Sequence, residues 1–319
     1  MAGRLRAILL LALLCGLGGF ACAAHAGYAA IVVDGSTGQV LQQVNADQRD
    51  YPASLTKMMT LYLTFEGLKS GRLRLDQQMP VSAWAAGKAP TKLGLLAGQT
   101  ISVQDCILGM ITRSANDAAT VMAEGIGGSE GHFTDMMDAQ AALLGMSDTH
   151  FTNASGLPDP DNTSTAHDLV KLAMALYRDF PQYAHFFATQ EFVFRGRIVR
   201  GHNNLMYRYP GMDGLKTGFT DASGYNLAST AVRDGHRLFA VVLGGRTAAV
   251  RDNLMARLLD DCFNGEQTPP ILVAEAAAMR GRRRTAAHRT PRVASRATTH
   301  HSRSRKQPVV VASRRNTDS

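Results

Sequence analysis

Apolar residues fall in short alternating or continuous blocks near both ends of the chain and at helical spacing between them. Tyr28 to Asp34 reads as a strand, Gly35-Ser36-Thr37-Gly38 as a turn, and Gln39 to Val44 as the second strand of an opening hairpin. Pro52 ends any earlier regular structure. From Ser54 the run Met58, Met59, Leu61, Tyr62, Leu63 and Phe65 predicts a buried helix to about Leu68, ended by Gly67 and Gly71. Four further stretches carry apolar residues at helical spacing: Val103 to Thr112, Asp117 to Gly125, Glu130 to Gly145, and Ala166 to Tyr177, the last opened by Thr165 and Asp168 as a capping pair. Glu191 to Phe194 and Arg197 to Arg200 read as two short paired strands. Gly214 to Thr217, Gly224 to Val232 and Arg237 to Leu243 are strands, the last two joined by the tight turn Arg233-Asp234-Gly235. A helix from Thr247 to about Phe263 closes the pattern.

These elements predict an α/β fold. The terminal blocks join into one antiparallel sheet of about five strands, with helices starting at Ser54 and Thr247 covering its two faces. A mostly helical subdomain, about residues 75–210, is inserted between them. A chain of 319 residues is long enough to bury a substantial core.

Outside this body the pattern changes. Residues 1–26 carry Arg4 and Arg6, an apolar run from Ala7 to Phe20, and then Ala24-His25-Ala26, the order expected of a secretory signal peptide cut after Ala26. The run is short for a membrane span and is broken by Gly16, Gly18 and Gly19. Export to a periplasm or cell envelope follows, with a folded body at 27–265. Residues 266–319 read as a disordered basic tail: from Arg280 onward there are 12 of the chain's 34 Lys+Arg but only one of its 26 acids, Asp318. The residues before Arg280 therefore hold 22 bases against 25 acids, and the net charge of +8 belongs to the tail. Such a tail suits weak, salt-screened contact with an anionic envelope, while the lack of interleaved aromatic residues argues against specific nucleic-acid binding. Cys106 and Cys262 are expected as buried free thiols. No Cys-x-x-Cys or His-Glu-x-x-His pattern calls for a metal, and no cofactor is expected.

The candidate chemistry begins at Ser54-Leu55-Thr56-Lys57. Three residues is nearly one helical turn, so hydroxyl and amine share a face. A lysine drawn into a water-poor site can act as the base that activates a serine. Alone, the same residues read more readily as a capping serine and a solvated lysine. Two more motifs follow in order: Ser114-Ala115-Asn116 between two helices, and Lys216-Thr217-Gly218 before Phe219. The ordered set Ser-x-x-Lys, Ser-x-Asn, Lys-Thr-Gly matches a signature of class A β-lactamases and penicillin-binding proteins, which has an aspartate in the middle motif where this chain has Ala115.

On these motifs, with Asn153-Ala154-Ser155-Gly156-Leu157 and Gly214-Leu215 beside them, the chain from Tyr28 to Phe263 resembles the serine-type D-alanyl-D-alanine carboxypeptidases, the low-molecular-weight penicillin-binding proteins. The resemblance implies a β-lactamase/transpeptidase-like fold with the site between its two parts. It implies Ser54 as nucleophile, Lys57 as base and Ser114 as proton carrier to the leaving amine. Asn116, Lys216, Thr217, Gly218 and Phe219 would bind peptidoglycan stem peptides or β-lactams, with an oxyanion hole at the amides of Ser54 and Phe219. Arg251 matches an arginine that binds the substrate carboxylate, and is equally a surface arginine beside Arg257. Asn153 and Gly156 are expected to shape a loop, His202 and Asn203 to make local backbone caps, and Trp84 to pack at a rim. Many members add a β-rich C-terminal domain and an anchoring helix, neither of which is expected after Phe263. The rival readings are an endopeptidase, a β-lactamase, for which Asn153 to Asn162 offers Asp159 and Asp161 but no glutamate, and a non-catalytic envelope-binding protein.

Overall fold

A computed structural model describes residues 27–277, so the expected signal peptide and the tail from 278 onward lie outside the described residues. The opening hairpin is β1 (Ala29–Asp34) and β2 (Val40–Val44). A 3-10 turn at Ala53–Thr56 leads into α1 (Lys57–Lys69). Next come β3 (Gln78–Pro80), the single-turn α2 (Ala83–Ala86), β4 (Thr100–Ser102), α3 (Val103–Thr112), α4 (Asn116–Gly127), α5 (Glu130–Leu143) and α6 (Ala166–Asp179). The hairpin β5 (Glu191–Phe194) and β6 (Arg197–Arg200) has the expected bounds. The chain closes with β7 (Met212–Thr220), β8 (Gly224–Arg233), β9 (His236–Gly245), α7 (Ala248–Phe263) and α8 (Pro270–Ala277).

The predicted sheet forms with five antiparallel strands in the order β2-β1-β9-β8-β7. All six residues of β1 are buried, because both faces of the sheet are covered, and such strands read as continuous apolar runs. Ala29, Ile31 and Val33 of β1, with Phe239, Val241 and Leu243 of β9, join the core shared with the helical part. Ala30, Val32, Leu238, Ala240 and Val242 point the other way, into a second core closed by Leu254, Met255, Leu258 and Leu259 of α7.

Three expectations change. The helix near Ser54 does not cover a sheet face: α6 lies on β1, β8 and β9, and α1 sits behind it among α3, α4 and α5. The reason is that α1 buries eleven of its thirteen residues and so has no polar side to give to solvent, whereas α6 has a distinct apolar stripe. Second, the body does not end at 265. Thr268 is buried, exchanging hydrogen bonds with the side chain of Gln42 (2.6 and 2.9 Å), and α8 presses Val273 and Ala276 onto the second core. Pro270 stands at the first position of that helix, where its missing N–H costs nothing. Third, the strand pair β3–β4 was not foreseen, since three residues each carry too little alternation to register. Cys106 is buried in α3, Cys262 is half-buried in α7, and both are free thiols; burial raises the pKa of each, that of Cys262 to about 11.

One buried charge organises the loop above α4. Asp117 is fully buried, and its carboxylate accepts the backbone N–H groups of Leu93, Gly94, Leu95 and Ala118 at 2.9–3.0 Å. Asp117→Asn places an amide among these donors and is expected to lower the unfolding free energy by about 3 kcal/mol. Asp148→Asn, which removes a solvent-exposed pair with Arg49, is expected to change it by less than about 1 kcal/mol. Urea unfolding of the two variants is the check, and equal midpoint shifts would contradict this account of Asp117.

Candidate active site

Local backbone geometry brings the first pair together. Ala53, with φ at +49°, opens the 3-10 turn, and Lys57 follows as the first residue of α1. The Ser54 hydroxyl caps neither element: the N-cap of the 3-10 turn is Pro52 and that of α1 is Thr56, neither with a side-chain cap, and Ser54 Oγ lies 3.1 Å from Lys57 Nζ. Lys57 is 0% exposed, and its amine also meets Asn116 Oδ1 at 2.7 Å and the Ser155 carbonyl at 2.6 Å. Burial, and then the nearby charge of Lys216, push its pKa well below the ordinary lysine value, against a smaller opposing pull from Asp117. Asn116 Oδ1 and a carbonyl can only accept. A neutral Lys57 therefore spends its two N–H groups on them and turns its lone pair to the Ser54 hydroxyl.

The Ser155 carbonyl is aimed by a loop that is itself tightly held. Asn153 Oδ1 accepts the N–H groups of Ser155, Gly156 and Leu157. Gly156, at φ +73°, lies so close to Ala53 that an added β-carbon would overlap the Ala53 carbonyl. Glu130 Oε1 takes the Ala154 N–H at 3.2 Å, while its Oε2 binds Lys88 at 2.6 Å and the indole N–H of Trp84 at 2.7 Å. Trp84, 62% exposed, is thus tied to a latch that leads to the base, with the Lys88 amine 3.9 Å from its ring centroid. Glu130 was not singled out in the sequence, because it belongs to no motif and acts through a neighbour; Ser155 stood in the Asn153 to Leu157 stretch, but only the fold shows its carbonyl meeting Lys57.

The turn between α3 and α4 supplies the second wall. Ser114 adopts φ +58°, and among the described residues its buried Oγ has no hydrogen-bond partner. Asn116 begins α4; its side-chain N–H donates to the Ala89 carbonyl at 2.8 Å, which fixes Oδ1 toward Lys57.

Strand β7 supplies the third wall, and the Lys-Thr-Gly motif lies in its middle rather than at its start. Lys216 is 1% exposed and donates to the Thr217 carbonyl at 2.7 Å. Burial, then the charge of Arg251, lower its pKa to about 7. A β-carbon on Gly218 would stand 3.0 Å from the Pro52 carbonyl and 3.2 Å from Ser54 N, so this position admits the nucleophile's turn against the strand. Asn226, opposite Gly218 on β8, reinforces the join by donating to the carbonyls of Tyr51 and Pro52. Phe219 is 49% exposed and lies against Tyr225, ring centroids 4.3 Å apart. Arg251 is not at the surface: it is buried, donates to Asp252 and to the Asn226 carbonyl (2.8 Å each), and reaches the same cleft.

The walls enclose a cleft of about 510 Å³, bordered by Ser54, Ser114, Asn116, Thr217, Phe219 and Arg251 among others. His202 also faces it. Its backbone N–H bonds the Thr112 carbonyl at the end of α3, a contact between distant segments rather than the local cap expected, and the ring was not foreseen in the cleft; burial, then Lys216, Arg113 and Lys57, lower its pKa to about 4. Among the described residues no His, Cys, Asp and Glu cluster has a metal-binding arrangement.

A family model described as D-alanyl-D-alanine carboxypeptidase matches residues 20–247. The D-alanyl-D-alanine carboxypeptidase DacF of Bacillus subtilis (strain 168) is 33% identical over 253 residues, 78% of this chain, which spans 65% of that relative's length. The crystal structure of the D-alanyl-D-alanine carboxypeptidase DacD from Francisella tularensis superposes with a TM-score of 0.71 at 32% identity, covering 73% of this chain and 69% of that one. Penicillin-binding protein D2 of Listeria monocytogenes, in its ampicillin-bound form, gives a TM-score of 0.64 at 33% identity over 73% of this chain and 95% of its own. Fold, site geometry and sequence thus agree, and the chain belongs to the D-alanyl-D-alanine carboxypeptidase family of serine peptidases.

Proposed function

We propose that the protein is a serine carboxypeptidase that removes the terminal D-alanine from peptidoglycan stem peptides and is acylated by β-lactams. The observation that carries this reading is the arrangement at Lys57 Nζ, two acceptors and one hydroxyl around a buried amine. Ser54 Oγ attacks the carbonyl of the penultimate D-alanine as Lys57 takes its proton. The backbone N–H groups of Ser54 and Phe219 receive the oxyanion, a contribution of about 3 kcal/mol for each such donor. The C–N bond breaks, and the proton passes by way of Ser114, whose hydroxyl is uncommitted, to the departing D-alanine amine. Water then adds to the acyl-enzyme and releases the shortened peptide. Lys216, Thr217 and Arg251 hold the terminal carboxylate, Asn116 positions Lys57 and the substrate amide, and Gly218 lets strand and nucleophile meet.

The β-lactamase reading draws less support, since no glutamate borders the cleft among the described residues. Export and envelope residence rest on the pattern of residues 1–26, and weak adhesion on the charge of the tail. If the tail acts so, removing residues 280–319 lowers co-sedimentation with anionic vesicles at low salt and has no effect at high salt; unchanged low-salt binding would end that idea.

Ser54→Ala is expected to abolish the covalent penicillin adduct seen by intact-protein mass spectrometry and to cut D-alanine release at least about 1000-fold. Persistence of either would overturn the assignment of the nucleophile. The pH dependence has a defined sign. Activity needs Lys57 neutral and Lys216 charged, and Lys216 in the free enzyme loses its proton as pH rises through about 7. So kcat/KM is expected to fall on the alkaline side, while in kcat that limb moves upward, because bound carboxylate favours the charged amine. Lys216→Arg keeps its charge and should lose the limb; an unaltered limb in that variant would assign it elsewhere.

A further inference from the structure

The two acceptors of the Lys57 amine belong to different segments of the chain, and the supports of those segments meet at one side chain. Ser155, whose carbonyl takes one N–H, follows Ala154, and the Ala154 N–H donates to Glu130 Oε1 at 3.2 Å. Asn116, which takes the other, is turned by the Ala89 carbonyl at 2.8 Å. Ala89 follows Lys88, and the Lys88 amine donates to Glu130 Oε2 at 2.6 Å. That same oxygen accepts the Trp84 indole N–H at 2.7 Å. Glu130 thus joins one acceptor to the other by a route that does not pass through Lys57. The Lys88 loop reaches further into the second wall at Thr91, whose carbonyl accepts the Asn116 N–H at 2.8 Å and whose hydroxyl donates to the Ser114 carbonyl at 3.1 Å.

The Lys88 and Glu130 side chains are only 9% and 10% exposed. An ion pair so enclosed adds little net stability once the loss of water from both charges is counted. What it supplies is direction. A carboxylate accepts with both of its oxygens, one toward each loop, whereas an amide has a single accepting oxygen. On the reading of the cleft as a carboxypeptidase site, we infer that Glu130 is a positioning residue for the base: it fixes the Asn116 and Ser155 acceptors relative to one another, and with them the direction of the Lys57 lone pair toward Ser54. Glu130 touches no reacting atom. Its effect travels as geometry through two loops, so proton removal depends on it and ligand affinity does not.

Penicillin acylation of Ser54, followed by mass over time, gives the limiting rate and the half-saturating concentration separately. Glu130→Gln must leave one loop without its acceptor, and the limiting rate is expected to fall about 10- to 100-fold with the half-saturating concentration within about twofold. The acid limb of the second-order rate should move to higher pH. The charged groups acting with Lys57 are Lys216 from β7, Asp117 from α4 and His202 at the cleft, and the substitution alters none of them. A looser enclosure lets water reach the amine and favours its charged form. Loss of the Glu130 charge acting through the field alone would move the limb to lower pH instead. That result, or a wild-type limiting rate, overturns the proposal. Glu130→Gln also strips Lys88 of its anion, so the double variant Lys88→Met with Glu130→Gln is measured beside it. With no buried charge left unpaired it is expected to unfold at a urea midpoint near wild type and yet to acylate slowly; a folded double variant with the wild-type rate would equally overturn the role of Glu130. If wild-type protein takes no penicillin label, the carboxypeptidase reading itself fails, and the positioning role falls with it.

Discussion

An amine can serve as a base at neutral pH only if it is kept from water and still has its N–H groups satisfied, and the site is built around that requirement at Lys57. Burial alone would lower the amine's proton affinity but leave its donors unpaired, at a cost of about 1–3 kcal/mol each. Asn116 Oδ1 and the Ser155 carbonyl meet this cost without offering a proton in return. Each has its own support: Asn116 is held through Ala89, and the Ser155 loop through Asn153, Gly156 and Glu130. The placement of α1 in the middle of the helical part follows too, since a helix that starts with a dry lysine must be enclosed at that end.

Two lysines in one cleft face opposite demands. On the proposed mechanism Lys57 must stay neutral and Lys216 must carry charge to meet a carboxylate, yet both are buried. Their surroundings differ where it matters. Lys57 feels Lys216 as a positive neighbour, which helps to keep it neutral. Lys216 has Arg251 nearby and sits with its pKa at about 7, so a carboxylate bound as proposed would itself supply the anion that holds its proton. Arg251 is prevented from adding more positive potential by Asp252, which it contacts at 2.7 Å.

Much of this was readable from the chain. The long strands β8 and β9 and the helices α3 to α7 have strong periodicity, and Thr165 announced the start of α6 by capping Asp168 N–H. The three motifs, each contiguous, marked residues that the fold brings together around one cleft. What was hidden has a common cause: it depends on contacts between distant segments. No local signal distinguishes Glu130 from any acid at a helix start, yet it binds Lys88, Trp84 and Ala154. Likewise Asn226, within an ordinary strand, ties β8 to Tyr51 and Pro52. Gly156 was expected to shape a loop, but its closeness to Ala53 becomes visible only in three dimensions. The helix α8 was obscured for a different reason, an alanine-rich stretch after Thr-Pro-Pro that resembles the tail composition until its packing on α7 is seen.

The same arrangement gives the cleft a direction. Lys216 and Arg251 lie near one another and gather positive charge, and Arg251 and Asp221 both border the cleft. For the proposed substrate, a peptide with a free terminal carboxylate, the pair of cations favours the orientation that brings that carboxylate to them. Electrostatics of this kind discriminates binding modes chiefly by penalising the wrong one. On the proposed mechanism the reacting carbonyl must lie within reach of a hydroxyl fixed by Lys57, so orienting the peptide is itself part of catalysis, and the charge of Lys216 and Arg251 would supply it before any bond is made.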